Sequence, residues 1–199
     1  MIAIVDYGMG NVASVSTALR KLGYEAMITD DREALQKATH IVLPGVGSFQ
    51  AAMEEIEERG LKNLLREMAE KKPFLGICLG MQLLFDEGFE GGETEGLSIL
   101  PGTINKMETE HILPHIGWNA LEAEGEGNPF SQFTGKHVYF VHSFAVKTKE
   151  AYIAATADYG MTVPAIVRKG NVYGIQFHPE KSGEVGIDIL KTFLQEAAK

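Results

Sequence analysis

The sequence predicts an α/β fold, an open and largely parallel mixed sheet flanked by helices, with antiparallel strands in the C-terminal half. Three observations predict it. Short, continuously apolar runs alternate with amphipathic stretches through the first half, the pattern of parallel strands covered on both faces. In the second half turn signals multiply, at Pro101-Gly102, Pro114 and Gly170-Asn171, and short strand-like segments take over. The 199 residues, 45% hydrophobic and 23% charged, have ordinary globular composition, which is enough for one domain spanning 1–199.

The elements follow in order. Residues 2–5 read as a buried strand. Val12, Val15, Leu19 and Leu22 recur at helical spacing, with Asn11 placed to cap the start and Gly23 the end. Residues 25–29 predict a second strand, and 41–43 a third, stopped by Pro44. Ser48 is placed to cap a helix through Met53 and Ile56, and Leu61, Leu64, Leu65 and Met68 continue as another. Residues 74–77 predict a fourth strand running straight into a helix with Leu79, Leu83 and Leu84. Residues 86–96 read as a Glu- and Gly-rich loop. Strands are expected at 138–141, 151–155, 165–168 and 172–177, and Ile187, Leu190, Phe193, Leu194 and Ala197 predict a closing helix.

Charge narrows the partners. The 18 basic against 27 acidic residues leave a net −9, which argues against a general nucleic-acid or anionic-membrane binder. Met1 to Val5 is too short an apolar start for a signal peptide, and no stretch approaches a membrane span. Cys78 is the one cysteine, so an intramolecular disulfide and a Cys-rich zinc site are excluded, and a reducing cytoplasmic compartment is expected. The acidic stretches 86–96 and 122–127 lack the register of a calcium loop, and no metal or cofactor is expected.

Cys78 sits in Gly76-Ile77-Cys78-Leu79-Gly80, between a strand and a helix. That is the cysteine form of the nucleophile elbow, a sharp turn whose neighbours two residues away must be small. The elbow places sulfur over a helix N-terminus and aims the Leu79 N–H at a developing oxyanion. A nucleophilic thiol wants a base and a group to orient it. Of the six histidines, His178 is the best placed, ending an apolar strand in Phe177-His178-Pro179-Glu180, with Glu180 able to accept its second N–H. Leu43-Pro44-Gly45-Val46-Gly47-Ser48 also lies between a strand end and a helix. Its backbone can supply a second oxyanion donor, Val46 or Gly47, and its glycine peptides can rotate, so the hole can depend on conditions. Gly8-Met9-Gly10-Asn11-Val12-Ala13 with Asp30 beyond the second strand offers a competing dinucleotide-binding fingerprint.

Taken together, the PGVGSF loop, the GICLGMQ segment and the HPE triplet resemble the class I, triad-type glutamine amidotransferase family, whose fold is flavodoxin-related. The segments DYGMGN, PHIGWN, YFVHS and QFHPEK make the chain similar, within that family, to the glutaminase subunits of imidazole glycerol phosphate synthases. Pyridoxal-phosphate synthase glutaminases usually carry Gly-Gly-Glu-Ser where this chain has Gly45-Val46-Gly47-Ser48. The resemblance implies a catalytic triad of Cys78, His178 and Glu180, hydrolysing glutamine through a cysteinyl thioester. It implies an oxyanion hole from Leu79 with Val46 or Gly47. Gly47, Gln82, Glu90 and the His142-Ser143 backbone match positions that bind glutamine. It also implies a heterodimer with a TIM-barrel cyclase subunit that takes the ammonia in histidine biosynthesis, docked on a face carrying Asn11, Trp118 and Lys181. From composition alone, Trp118 reads equally well as a half-buried core aromatic.

Overall fold

The computed structural model describes residues 1–123 and 125–196; Ala197 of the expected closing helix and Glu124 of the 122–127 turn lie outside them. The chain begins β1 (Ile2–Val5), α1 (Val12–Lys21), β2 (Ala26–Thr29), α2 (Arg32–Lys37), β3 (His40–Gly45), α3 (Phe49–Glu58), α4 (Lys62–Lys71), β4 (Phe74–Cys78) and α5 (Leu79–Gln82). Then come β5 (Glu87–Gly88), β6 (Thr94–Glu95), β7 (Thr103–Lys106), β8 (His115–Ala120), β9 (His137–His142), β10 (Phe144–Lys147), β11 (Ile153–Asp158), β12 (Thr162–Lys169), β13 (Val172–Ile175) and α6 (Gly183–Glu196).

The main sheet runs β11-β12-β13-β4-β3-β1-β2. The five strands from β13 to β2 are mutually parallel, and β11 and β12 add antiparallel at one edge. Strand alternation sends successive residues to opposite faces. Ala3, Val5, Ile41 and Leu43 pack with α3 and α4, while Ile2, Ile4, Val42, Leu75 and Ile77 pack with α1 and α6. Every residue of β1 and β4 is buried, as strands covered on both faces require. A small second sheet, β10-β7-β5-β6, and the β8–β9 ribbon stand at the carboxyl ends of these strands.

Several expectations are corrected. Pro44 does not stop β3, which pairs on through it as far as Gly45 opposite Cys78. Asn11 precedes α1 but makes no side-chain cap; its Nδ2 donates to Glu180 Oε1. Ser48, as expected, caps α3 through the Ala51 N–H. The helix after Cys78 is a single turn, Leu79–Gln82, continued by tight turns through Phe85, so its dipole is far smaller than a full helix would give. Residues 86–96 are not a plain loop, since β5 and β6 lie within them. The 151–155 strand begins only at Ile153, after a 3-10 turn, and the 172–177 strand ends at Ile175. The short elements α2, β7, β8 and β10 carry too little apolar periodicity to be read in advance.

Candidate active site

The carboxyl ends of β1, β3, β4 and β13 converge beside the point where strand order reverses, the usual place for a ligand in an open α/β sheet. A cavity of ≈ 320 Å³ opens there, lined among others by Val46, Gly47, Cys78, Leu79, Gln82 and His178.

Cys78 occupies the turn from β4 to α5 at φ 54° and ψ −113°, a strained backbone for a residue with a Cβ. Glycines on either side make the strain tolerable. A Cβ on Gly80 would collide with the Leu43 carbonyl, and one on Gly76 with the Gly80 carbonyl. The packing of β3 and β4 against α5 therefore demands glycine at both, and the elbow is held by backbone on backbone. The thiol is buried, 7% exposed, and donates weakly toward the Val141 carbonyl at 3.8 Å.

His178 comes up beside it, one strand over. Its Nδ1 donates to Glu180 Oε1 at 2.8 Å, and the imidazole shares the cavity wall with Cys78. Burial disfavours the imidazolium, but the neighbouring Cys78 and the Glu180 carboxylate outweigh burial and raise the pKa to about 9. The turn that presents His178 is pinned by Ser182, whose Oγ donates to the His178 carbonyl at 2.6 Å and accepts from the Tyr139 N–H at 3.0 Å. Asn11 Nδ2 also donates to Glu180 Oε1, at 3.3 Å. The residue expected at a docking face thus touches the carboxylate of the His178–Glu180 pair.

The Pro44–Ser48 loop forms the opposite wall. Gly47 adopts φ +104°, and a Cβ there would press on Met9 Cε. The Val46 N–H, expected to point at an oxyanion, instead donates to the Met9 carbonyl at 3.0 Å. In this conformation Val46 is not a donor to the cavity, a correction to the sequence expectation that only a peptide rotation reverses.

The remaining residues also gather here. Glu90 lines the cavity and is no solvated acidic run, since its Oε2 accepts the Phe49 N–H at 2.9 Å. Gln82 Nε2 is spent on Gln176 Oε1 at 3.0 Å and the Phe144 carbonyl at 3.1 Å. His142 and Ser143 form the far wall; His142 Nδ1 donates to the Phe144 carbonyl at 2.8 Å and its Nε2 faces His115 Nδ1 at 2.9 Å. Burial pushes the His142 pKa down to about 4, with His115 and His178 nearby adding to the effect. Lys181 lines the cavity mouth. Trp118 is not a core aromatic: it is 54% exposed, beside Ile116 at 58%, both on the outward face of β8.

Sequence reasoning missed three groups. Gln176 is fully buried, with its Nε2 3.9 Å from Cys78 Sγ; its place two residues before His178, just past β13, was the available signal. His115 backs His142, and Asn119 Oδ1 holds its other nitrogen at 2.7 Å. Tyr7 is buried near Cys78. The dinucleotide fingerprint is used otherwise: the Gly8 N–H is bonded to Asp6, Gly10 packs on Pro44 and Asp30 pairs with Arg59.

A strained cysteine, a histidine beside it in one cavity and a carboxylate bonded to that histidine, on a doubly wound sheet, define a thiol hydrolase of the triad type. Residues 3–197 match the family model for glutamine amidotransferase class-I, and the chain belongs to that family. It is 52% identical over 191 residues to the imidazole glycerol phosphate synthase subunit HisH of Exiguobacterium sibiricum, covering 96% of this chain and 93% of that protein. It is 49% identical to the subunit of the same name from Bacillus cereus strain G9842, over 97% and 93%. Within the amidotransferases it belongs with these HisH subunits. The fold likeness extends to a crystal structure of a glutamine amidotransferase, TM-score 0.79 at 23% identity over both whole chains, and to PurLQS from Thermotoga maritima, TM-score 0.75 at 22%, over 98% of this chain and 97% of that one.

Proposed function

We propose that Cys78, His178 and Glu180 hydrolyse glutamine in one domain spanning residues 1–199, as the glutaminase subunit of imidazole glycerol phosphate synthase, a cytoplasmic enzyme of histidine biosynthesis. The observation that carries this is the His178 imidazole, bonded to Glu180 at 2.8 Å and lining one cavity together with Cys78.

In this reading His178 holds the proton taken from the Cys78 thiol, as its raised pKa favours, and the thiolate attacks the side-chain amide carbon of glutamine. His178 then gives the proton to the departing ammonia, while Glu180 steadies the imidazolium. Water hydrolyses the glutamyl thioester and regenerates the thiol. The Leu79 N–H meets the oxyanion, and Val46 or Gly47 completes the hole once the loop turns. Glu90 suits the substrate ammonium, while Gln82, Gly47 and the His142-Ser143 backbone shape the rest of the cavity. The ammonia passes to the TIM-barrel cyclase subunit, which makes imidazole glycerol phosphate and aminoimidazole carboxamide ribotide. Asn11, Trp118 and Lys181 carry the docking face, with exposed Trp118 and Ile116 as apolar anchors.

The test is glutamate release from glutamine, by the chain alone and with its cyclase subunit carrying ligand. Activity is expected to rise with the partner and to vanish in Cys78→Ala. Full activity of that variant overturns the nucleophile, and no rise with the partner overturns the gating.

A further inference from the structure

Residues 6–11, between β1 and α1, reach both the Val46 loop and the Glu180 carboxylate. The Met9 carbonyl holds the Val46 N–H, and Asn11 reaches Glu180. Tyr7 lies deepest. Its ring is fully buried, and its hydroxyl has no hydrogen-bond partner among the described residues. A buried hydroxyl left unpaired is costly and uncommon, and it asks for an explanation.

The position of that hydroxyl supplies one. It lies so close to Gly45 that a Cβ on Gly45 would collide with it. Gly45 begins the peptide whose other half is the Val46 N–H, and it pairs across the sheet with Cys78. In a trans peptide the C=O and N–H point to opposite sides. With the Val46 N–H on Met9, the Gly45 carbonyl points away from the 6–11 segment. Rotating that N–H into the cavity swings the Gly45 carbonyl back toward the segment. There it would meet the Met9 carbonyl, acceptor against acceptor, unless a donor receives it. Tyr7 carries an unspent donor beside Gly45. Burial, with Cys78 nearby adding to it, pushes its pKa upward, so the hydroxyl keeps its proton.

We propose that Tyr7 is a positioning residue for glutamine hydrolysis, whose hydroxyl takes the Gly45 carbonyl when the Val46 N–H turns into the cavity. The inference rests on the reading of Val46 as an oxyanion donor. Tyr7 touches no reacting atom. It stabilises the turned loop and leaves the resting loop without that bond, so it shifts the balance between the two.

The test is Tyr7→Phe in the complex with the cyclase subunit and its ligand, a change that removes one oxygen and preserves the ring. Losing one hydrogen bond from the turned loop alone is expected to lower kcat about tenfold with KM for glutamine within about twofold, while the melting temperature of the chain stays level or rises. A merely structural hydroxyl predicts unchanged kcat, and that result overturns the proposal. A fall in kcat accompanied by a lower melting temperature also overturns it. A crystal structure of the Cys78→Ser complex with glutamine separates the two layers. The Gly45 carbonyl within hydrogen-bond reach of Tyr7 Oη supports the proposal. A Val46 N–H turned into the cavity with that carbonyl elsewhere overturns Tyr7 alone. A Val46 N–H still on Met9 overturns the oxyanion reading and Tyr7 with it.

Discussion

Gly45 and Cys78 lie opposite each other at the ends of adjacent strands, yet the walls they begin are held in different ways. On the Cys78 side, backbone presses on backbone: Gly80 against the Leu43 carbonyl, and Gly76 against Gly80. Nothing there can shift without opening the sheet. On the Val46 side a single hydrogen bond to Met9 decides where the N–H points, and Val46 is 43% exposed. In the proposed reading, a rigid nucleophile facing an adjustable oxyanion donor lets one site keep its chemistry assembled and still be switched. Strain of about 1–3 kcal/mol at an elbow is affordable only where packing over-determines it, and a hydrogen bond worth about 1 kcal/mol is the right size for a switch.

The largest expected effect removes the rigid side's purpose. Cys78→Ala is expected to lower kcat for glutamine hydrolysis by about 10⁴-fold or more, measured as glutamate release in the complex, with the melting temperature nearly unchanged. Gly80→Ala attacks the rigidity itself. Its Cβ meets the Leu43 backbone, so the chain is expected to lose about 3 kcal/mol or more of stability, read from denaturant unfolding. A small loss there would mean that the elbow can yield and that the contrast is false. On the adjustable side, Gly47→Ala burdens a backbone at φ +104° and sets a methyl against Met9. A stability cost of about 1–2 kcal/mol is expected, with activation by the partner changed more than the fold.

Acid and base sharpen the comparison through two histidines on the same cavity. His178 is raised to about 9, so its contribution to stability is complete below about pH 6.5, its ordinary value, and is lost as pH climbs through about 9. His142 is lowered to about 4, so the unfolded chain takes its proton first, and stability falls as pH drops from about 6.5 toward 4. Melting curves across pH should show the alkaline loss diminished in His178→Asn and the acid loss diminished in His142→Gln. The smallest effect on the free chain is Trp118→Ala, expected to move stability by about 0.5 kcal/mol or less while weakening cyclase binding in a titration.

Much of this was legible in the order of residues. The elbow was, because a cysteine between two spaced glycines at a strand end has few other physical explanations. The partner histidine and carboxylate were, because His178-Pro179-Glu180 follows an apolar strand. The direction of the Val46 N–H was not, since both orientations of a peptide beside glycine suit the same sequence. Asn11 looked like a helix cap because Asn before an apolar period usually is one; its amide found a buried carboxylate 169 positions away instead. The strands within 86–96 were hidden by composition, Glu and Gly being poor strand formers that the neighbouring β7 nevertheless recruits.

The placement of β13 has a consequence for the order in which the protein is made. This strand enters between β12 and β4, so β4 has only β3 as a neighbour until residue 175 has been synthesised. Cys78 and His178 are 178 − 78 = 100 positions apart. At ordinary rates of translation, the thiol waits roughly 5 to 20 s for its histidine. On the proposed roles, an unfinished chain carries the nucleophile without its base until the last strand of the sheet is in place.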